Sequence, residues 1–296
     1  MKRARLIYNP TSGREEIKKH LPEILEILES YGLETSCYQT KGKGDAVKGA
    51  IDAANRGFDV IISAGGDGTL NDIVNGISDF EIRPKVGIIP AGTTNDFARA
   101  LKIPKDFAKA AEIIGEQNSK VIDIGRYNDK YFINIAGGGS LTEVTYEVPS
   151  IYKTVLGQLA YYLRGIEKVV FLKPMNITIE ANETIYQEEA MLFLIANSNS
   201  VGGFEKISPN GDLSDGLFDV LIAKKTNIAE FLRLLTLATR GEHLKEKNVI
   251  SFKTDKLKIY SNDSSNVDIN LDGELGGTLP GEFEVLKHHI EIFVKN

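Results

Sequence analysis

Apolar positions ahead of Ile124 alternate between short continuous runs and helical spacings. Residues 4–8 form an apolar run that ends at the turn Asn9-Pro10-Thr11-Ser12-Gly13. Ile17, Leu21, Ile24, Leu25 and Leu28 recur at helical spacing, and Gly32 stops that helix. Residues 33–40 read as a second strand. Asp45 is the expected cap of a helix reaching about Arg56, with Val47, Ala50, Ile51 and Ala54 on one face. Strands over 59–63 and 85–89 follow, with helices over 69–76 and 108–114 behind them. Uniformly apolar strands alternating with helices predict a parallel sheet covered by helices.

After Asp123-Ile124-Gly125 the rhythm changes. Residues 131–136, 175–180, 190–196, 218–223, 256–260 and 267–271 read as strands, and only 155–170 and 229–238 read as helices. The expected architecture is α/β in two domains. An N-terminal parallel-sheet α/β domain covers residues 1–124, and a β-rich, sandwich-like domain covers 125–287. The strand-like segment 289–294 can return to the first domain.

Composition narrows the function. The 296 residues carry a formal net charge of −6, which disfavours a nucleic-acid partner, since phosphate-backbone affinity rests on clustered Lys and Arg. The single cysteine, Cys37, cannot form an intrachain disulfide, and His20, His243, His288 and His289 show no zinc-type spacing. A reducing, cytoplasmic setting is expected. Only Leu6-Ile7-Tyr8 separates the basic N-terminus from Asn9-Pro10, too little for a signal-peptide core. No apolar run approaches the roughly 20 residues of a membrane span. Phosphate-binding P-loop, nucleophile-elbow and protein-kinase signatures are absent, and no Gly-x-Gly-x-x-Gly follows the first strand.

Gly65-Gly66-Asp67-Gly68-Thr69 lies directly between a strand and a helix. Its glycines let backbone approach a phosphate, and the helix start offers unpaired N–H groups. Asp67 would repel phosphate without a cation, which argues for magnesium; a plain capping turn is the alternative. Pro90-Ala91-Gly92-Thr93-Thr94-Asn95-Asp96-Phe97-Ala98 follows another strand, so both loops are expected at the carboxyl edge of the sheet, where ligands bind.

Together with Asn9-Pro10-x-Ser12-Gly13 and Leu271-Asp272-Gly273-Glu274, these segments resemble the diacylglycerol kinase catalytic family, which includes sphingoid and ceramide kinases. The likeness spans nearly the whole chain and is strongest to the soluble bacterial diacylglycerol kinases. It implies an ATP-dependent lipid kinase of phospholipid biosynthesis, with its active site in the cleft between the domains. Gly65, Gly66, Asp67, Gly68, Thr69, Thr93, Thr94 and Asn95 would line the ATP phosphates, with Asn9, Pro10 and Thr40 nearer the nucleoside. Asp67, Asp96 and Asp123 would hold Mg2+ through water. Asp272 would be the general base and Glu274 its acidic neighbour; a hairpin turn at Asp272-Gly273 is the alternative. Asp212, Asp215 and the Leu217 carbonyl would bind a structural magnesium, although ordinary turn chemistry also accounts for that segment. Asp72 stands where many members have Glu.

A lipid substrate requires peripheral contact with the inner face of the membrane. The basic spot Lys18-Lys19-His20 and the aromatic–basic segment 159–173 are the candidate surfaces, against a core reading of the latter. A homodimer would cover exposed strand edges. Left open are a kinase for another lipid alcohol, a kinase for NAD, and a non-catalytic nucleotide- or lipid-binding regulator.

Overall fold

The computed structural model describes residues 1–142, 171–198, 207–208, 211–263 and 266–296. The chain divides into two compact units, Met1–Ile124 with Lys287–Asn296, and Gly125–Leu286.

In the first unit the order is β1 (Lys2–Tyr8), α1 (Ile17–Ser30), β2 (Leu33–Gln39), α2 (Asp45–Asn55), β3 (Val60–Gly65), α3 (Asp67–Ile77), β4 (Lys85–Pro90), α4 (Asp96–Ala100), α5 (Phe107–Glu116) and the first part of β5 (Ser119–Tyr127). Strands β2, β1, β3 and β4 lie side by side and parallel. The chain steps from β1 to β2 in one direction and then crosses to β3 on the other side of β1. Helix α1 packs with α5, and α2 with α3. Such a reversal leaves a crevice at the carboxyl ends of the strands. Every residue of β3 is buried, as expected for a strand covered on both faces. The chain end returns to this unit, where Ile292 pairs parallel with Val86.

Two local expectations are corrected here. Helix α2 begins at a left-handed Gly44, with Asp45 already in the first turn and its carboxylate accepting the Lys41 N–H at 2.9 Å. Its buried face is Ala46, Gly49, Ala50 and Ala53, while Ile51 is exposed. Small residues win because of close approach. A Cβ on Gly49 would lie 2.9 Å from the Tyr38 ring, and one on Gly76 of α3 would lie 2.8 Å from the Val47 oxygen. Volume, not hydrophobicity, decides which side of α2 faces inward.

The second unit continues with β6 (Lys130–Phe132), β7 (Ile135–Gly138), β8 (Ser140–Thr142), β9 (Phe171–Lys173), β10 (Met175–Ala181), β11 (Thr184–Ala196), β12 (Phe218–Lys224), α6 (Ile228–Arg240), β13 (Val249–Thr254), β14 (Lys256–Ser261), β15 (Asp268–Leu271), β16 (Glu274–Thr278) and β17 (Gly281–Phe293), the last of which ends in the first unit. The pairings here are antiparallel, from β16 through β15, β7, β11, β10 and β14 to β17, with β12 and β13 branching from β11. Phe132, Phe193, Phe218, Phe283, Ile177, Ile259 and Ile269 are fully buried in its core. Asn227 caps α6 by accepting the Glu230 N–H at 2.9 Å, and a left-handed Gly241 ends it.

The single strand expected over 131–136 is two strands, β6 and β7, with a break at Ile133-Asn134. Strands β13 and β16 were not evident from the sequence pattern. The helix expected over 155–170 and most of segment 159–173 lie outside the described residues. Among the described residues no helix is long and apolar enough to cross a membrane.

Candidate active site

Backbone hydrogen bonds continue sideways past the ends of the parallel strands and stitch their loops into one row. Thr40 N–H donates to the Tyr8 oxygen at 3.0 Å, and Asn9 N–H to the Ala64 oxygen at 3.1 Å. Ala91 and Gly92 N–H groups both donate to the Gly65 oxygen, at 2.9 and 3.1 Å. The segments after β2, β1, β3 and β4 are thus neighbours, and they carry the expected nucleotide residues Thr40, Asn9-Pro10, Gly65–Gly68 and Thr93–Asn95. Thr40 is buried and its hydroxyl also donates to the Tyr8 oxygen. The Asn9 side chain accepts the N–H and hydroxyl of Thr11, fixing the turn at Pro10.

Glycine is required where the two phosphate-type loops meet. A Cβ on Gly92 would lie 2.5 Å from the Gly66 Cα, and one on Gly65 would lie 2.4 Å from the Thr69 hydroxyl. Asn95 is left-handed, with φ 52°, and locks the second loop. Its side chain accepts the Gly92 N–H at 3.1 Å and donates to the Gly92 oxygen at 2.7 Å. Thr93 is exposed, with its oxygen facing Lys105, and the Thr94 oxygen accepts from Arg99. The first turn of α3 leaves Gly66, Asp67 and Gly68 accessible to solvent while Thr69 is buried. Backbone N–H groups and the positive helix end face outward there, a chemistry suited to phosphate oxygens.

Among the predicted acidic residues, Asp67 and Asp96 are brought together. The Asp67 carboxylate accepts the N–H groups of Asp96 and Phe97 at 3.1 and 3.2 Å, at the start of α4. Burial, and then the neighbouring Asp96 charge, push the Asp67 carboxyl above the ordinary range, against the lowering effect of those N–H groups. Asp96 is buried and lies 3.4 Å from Arg99. Asp123 is buried too, and its carboxylate accepts the His288 N–H at 2.7 Å. No group of three His, Cys, Asp or Glu side chains poised to hold a metal occurs among the described residues. The crowded Asp67–Asp96 pair nevertheless has the chemistry that a hydrated cation relieves. Asp72 lies on α3, partly exposed.

In the second unit, Asp272-Gly273 is the two-residue turn of the β15–β16 hairpin, with φ of +49° and +96°. The turn does more than reverse the chain. The Asp272 carboxylate accepts N–H groups from Ile133 at 2.6 Å, Asn134 at 2.9 Å and Ile135 at 2.9 Å. Those bonds explain the break between β6 and β7, because the N–H groups that a continuous strand would use point at a carboxylate. Glu274 follows, exposed, opposite Leu271. The sequence reading missed the 133–135 segment; an asparagine inside an apolar strand run was the available signal.

The second acidic segment is engaged locally. Asp212 accepts the Ser214 N–H and hydroxyl, and Asp215 accepts the Leu217 N–H at 3.0 Å and the Lys253 ammonium at 2.7 Å.

The chain is similar to known proteins. Residues 3–127 match the model of the diacylglycerol kinase catalytic domain, and residues 142–294 match that of the YegS C-terminal NAD kinase beta sandwich-like domain. The chain belongs to the diacylglycerol kinase catalytic domain family, with the family's α/β and sandwich-like domains. It is 54% identical to the diacylglycerol kinase of Bacillus subtilis (strain 168), over 99% of this chain and 96% of that one. Identity to the diacylglycerol kinase of Staphylococcus aureus (strain MRSA252) is 48%, covering 100% and 93%. The crystal structure of a diacylglycerol kinase from Bacillus anthracis str. Sterne superposes over 99% of this chain and 97% of its own, with TM-score 0.79 at 26% identity.

Proposed function

We propose that this chain transfers the γ-phosphate of ATP to the free hydroxyl of diacylglycerol, giving phosphatidic acid. The observation that carries the reading is the row of hydrogen-bonded strand-end loops with Gly65 and Gly66 in backbone contact with Gly92, on a chain of the diacylglycerol kinase catalytic domain family. Gly66, Gly68, Thr69, Thr93, Thr94 and Asn95 cradle the phosphates, and Asn9, Pro10 and Thr40 face the nucleoside. Bound Mg2+ would neutralise charge on the phosphates, held through water by Asp67, Asp96 and Asp123. A structural ion at Asp212, Asp215 and the Leu217 carbonyl would have to compete with Lys253 for Asp215.

Asp272 accepts the proton of the lipid hydroxyl, with Glu274 beside it. The N–H groups of residues 133–135 orient that carboxylate. Phosphoryl transfer through a loose transition state lets the proton leave late, so a carboxylate stabilised by N–H groups suffices as acceptor.

The lipid is met by peripheral contact with the inner face of the membrane, where Lys18 and Lys19 are exposed on α1. Charge reversal of both lysines is expected to weaken binding to anionic vesicles. A homodimer belongs to the proposal because among the described residues β2 pairs only with β1, an edge that a second copy would cover; sedimentation velocity reads it directly.

The test is radiolabelled phosphate transfer from ATP to diacylglycerol in mixed micelles, with magnesium or with a chelator. Magnesium-dependent phosphatidic acid is the expected result. Product from a sphingoid or other glycerolipid alcohol, and none from diacylglycerol, would reassign the acceptor.

A further inference from the structure

The groups that hold Asp272 are themselves held from behind by a buried polar set of Asn134, Asn197 and Ser198. These residues are 4%, 2% and 0% exposed. While the N–H groups of Ile133, Asn134 and Ile135 point at the Asp272 carboxylate, the carbonyls of Ile133 and Asn134 are taken from the end of β11. Asn197 Nδ2 donates to the Ile133 oxygen at 2.9 Å, and the Asn197 N–H donates to the Asn134 oxygen at 2.8 Å. The Ser198 hydroxyl donates to Asn134 Oδ1 at 2.8 Å. Across the hairpin, Asn270 Oδ1 accepts the Gly273 N–H at 2.8 Å, and the Asp272 N–H donates to the Ile135 oxygen at 2.9 Å.

We infer that Asn197 and Ser198 are positioning residues for phosphoryl transfer, acting on Asp272 through the peptide planes of residues 133–135. A peptide plane is rigid, so fixing the Ile133 and Asn134 oxygens fixes the direction of the Asn134 and Ile135 N–H groups that share their planes. Donation to the oxygen also polarises the peptide and strengthens the bond its N–H makes to the carboxylate. Three buried amides, those of Asn134, Asn197 and Asn270, and one hydroxyl are costly to place inside an otherwise apolar sheet. Here they buttress a segment in which a strand is broken and its N–H groups bond a side chain. The chemistry is that of an oriented proton acceptor, and it rests on the reading of Asp272 as the base.

The test measures kcat and KM for ATP with diacylglycerol in mixed micelles, for Asn197→Ala and Ser198→Ala, each alone and in an Asp272→Asn background. Ser198→Ala removes one hydrogen bond and is expected to lower kcat by about 3- to 10-fold. Asn197→Ala releases a peptide oxygen and is expected to lower it by roughly 10- to 100-fold. KM for ATP stays put in both, and Ser198→Thr, which restores the hydroxyl, recovers activity. In the Asp272→Asn background, followed by radiolabel over long incubations, neither substitution lowers the residual rate further.

Equal losses in both backgrounds, or a raised KM with unchanged kcat, would overturn the inference by showing a general structural role. An Asp272→Asn enzyme as fast as its parent would instead remove the base assignment on which the inference rests. Should Asn197→Ala fail to fold, the Ser198→Ala and Ser198→Thr pair carries the same test.

Discussion

Asp67, in the first turn of α3, and Asp272, in a hairpin turn, both carry carboxylates that accept backbone N–H groups, and they end in different surroundings. Asp67 takes two such bonds at the start of α4 but is half-buried beside Asp96, and its carboxyl is driven above the ordinary range. Asp272 takes three from a broken strand and sits on a tight hairpin. One carboxylate sits against a like charge; the other is supplied with three N–H donors. On the proposed reading the difference divides two labours, charge handling in the first unit and proton acceptance in the second. Burial with a like charge raises the cost of ionisation, whereas convergent N–H groups lower it.

The comparison breaks most severely at the glycine contact of the first unit. Gly92→Ala places a Cβ against the Gly66 Cα and must push the phosphate loops apart. The expected loss in kcat/KM for ATP is about 100-fold, read by steady-state kinetics at varied ATP. A fold-neutral, fully active Gly92→Ala enzyme would mean that the loops do not seat the nucleotide.

Asn95→Ala is the next step down. It removes both bonds to Gly92 and leaves an alanine in the left-handed region. Urea unfolding should show a loss of about 1–3 kcal/mol, with a matching weakening of ATP binding.

Asp67→Asn sharpens the comparison through stability. Because the folded Asp67 carboxyl is raised above its unfolded value, its contribution to stability is fully present below the ordinary carboxylate range. That contribution is lost as the pH climbs through the raised value. The uncharged variant should therefore match the parent in Tm at acid pH and melt above it near neutrality, while losing activity. A parent that melts above the variant at neutral pH would show that the N–H groups of Asp96 and Phe97 outweigh burial.

Much of the first unit was legible because its information is local. Parallel buried strands read as apolar runs, and Gly65–Thr69 and Pro90–Ala98 carry their turn chemistry in consecutive residues. The α2 face was misread because its inward side is set by the room left beside Tyr38 of β2 and Gly76 of α3, which no periodicity of α2 records. The second unit was less legible because its causes are distant. The β6–β7 break is made by Asp272, 137 to 139 residues along the chain from its three donors. Asn134, Asn197 and Ser198 meet only after β7 pairs with β11. The hairpin reading of Asp272-Gly273 and the base reading were posed as alternatives, yet the turn's geometry is what presents the carboxylate.

The most direct measurement of this division is calorimetric titration of ATP with magnesium into Asp67→Asn and Asp272→Asn, set beside their rates of phosphatidic acid formation. Asp272→Asn should bind ATP within about twofold of the parent while its rate falls by roughly 100-fold or more, and Asp67→Asn should lose binding and rate together. If Asp272→Asn lost ATP binding in proportion to its rate, or Asp67→Asn bound the nucleotide normally, the assignment of separate labours to the two carboxylates would be wrong.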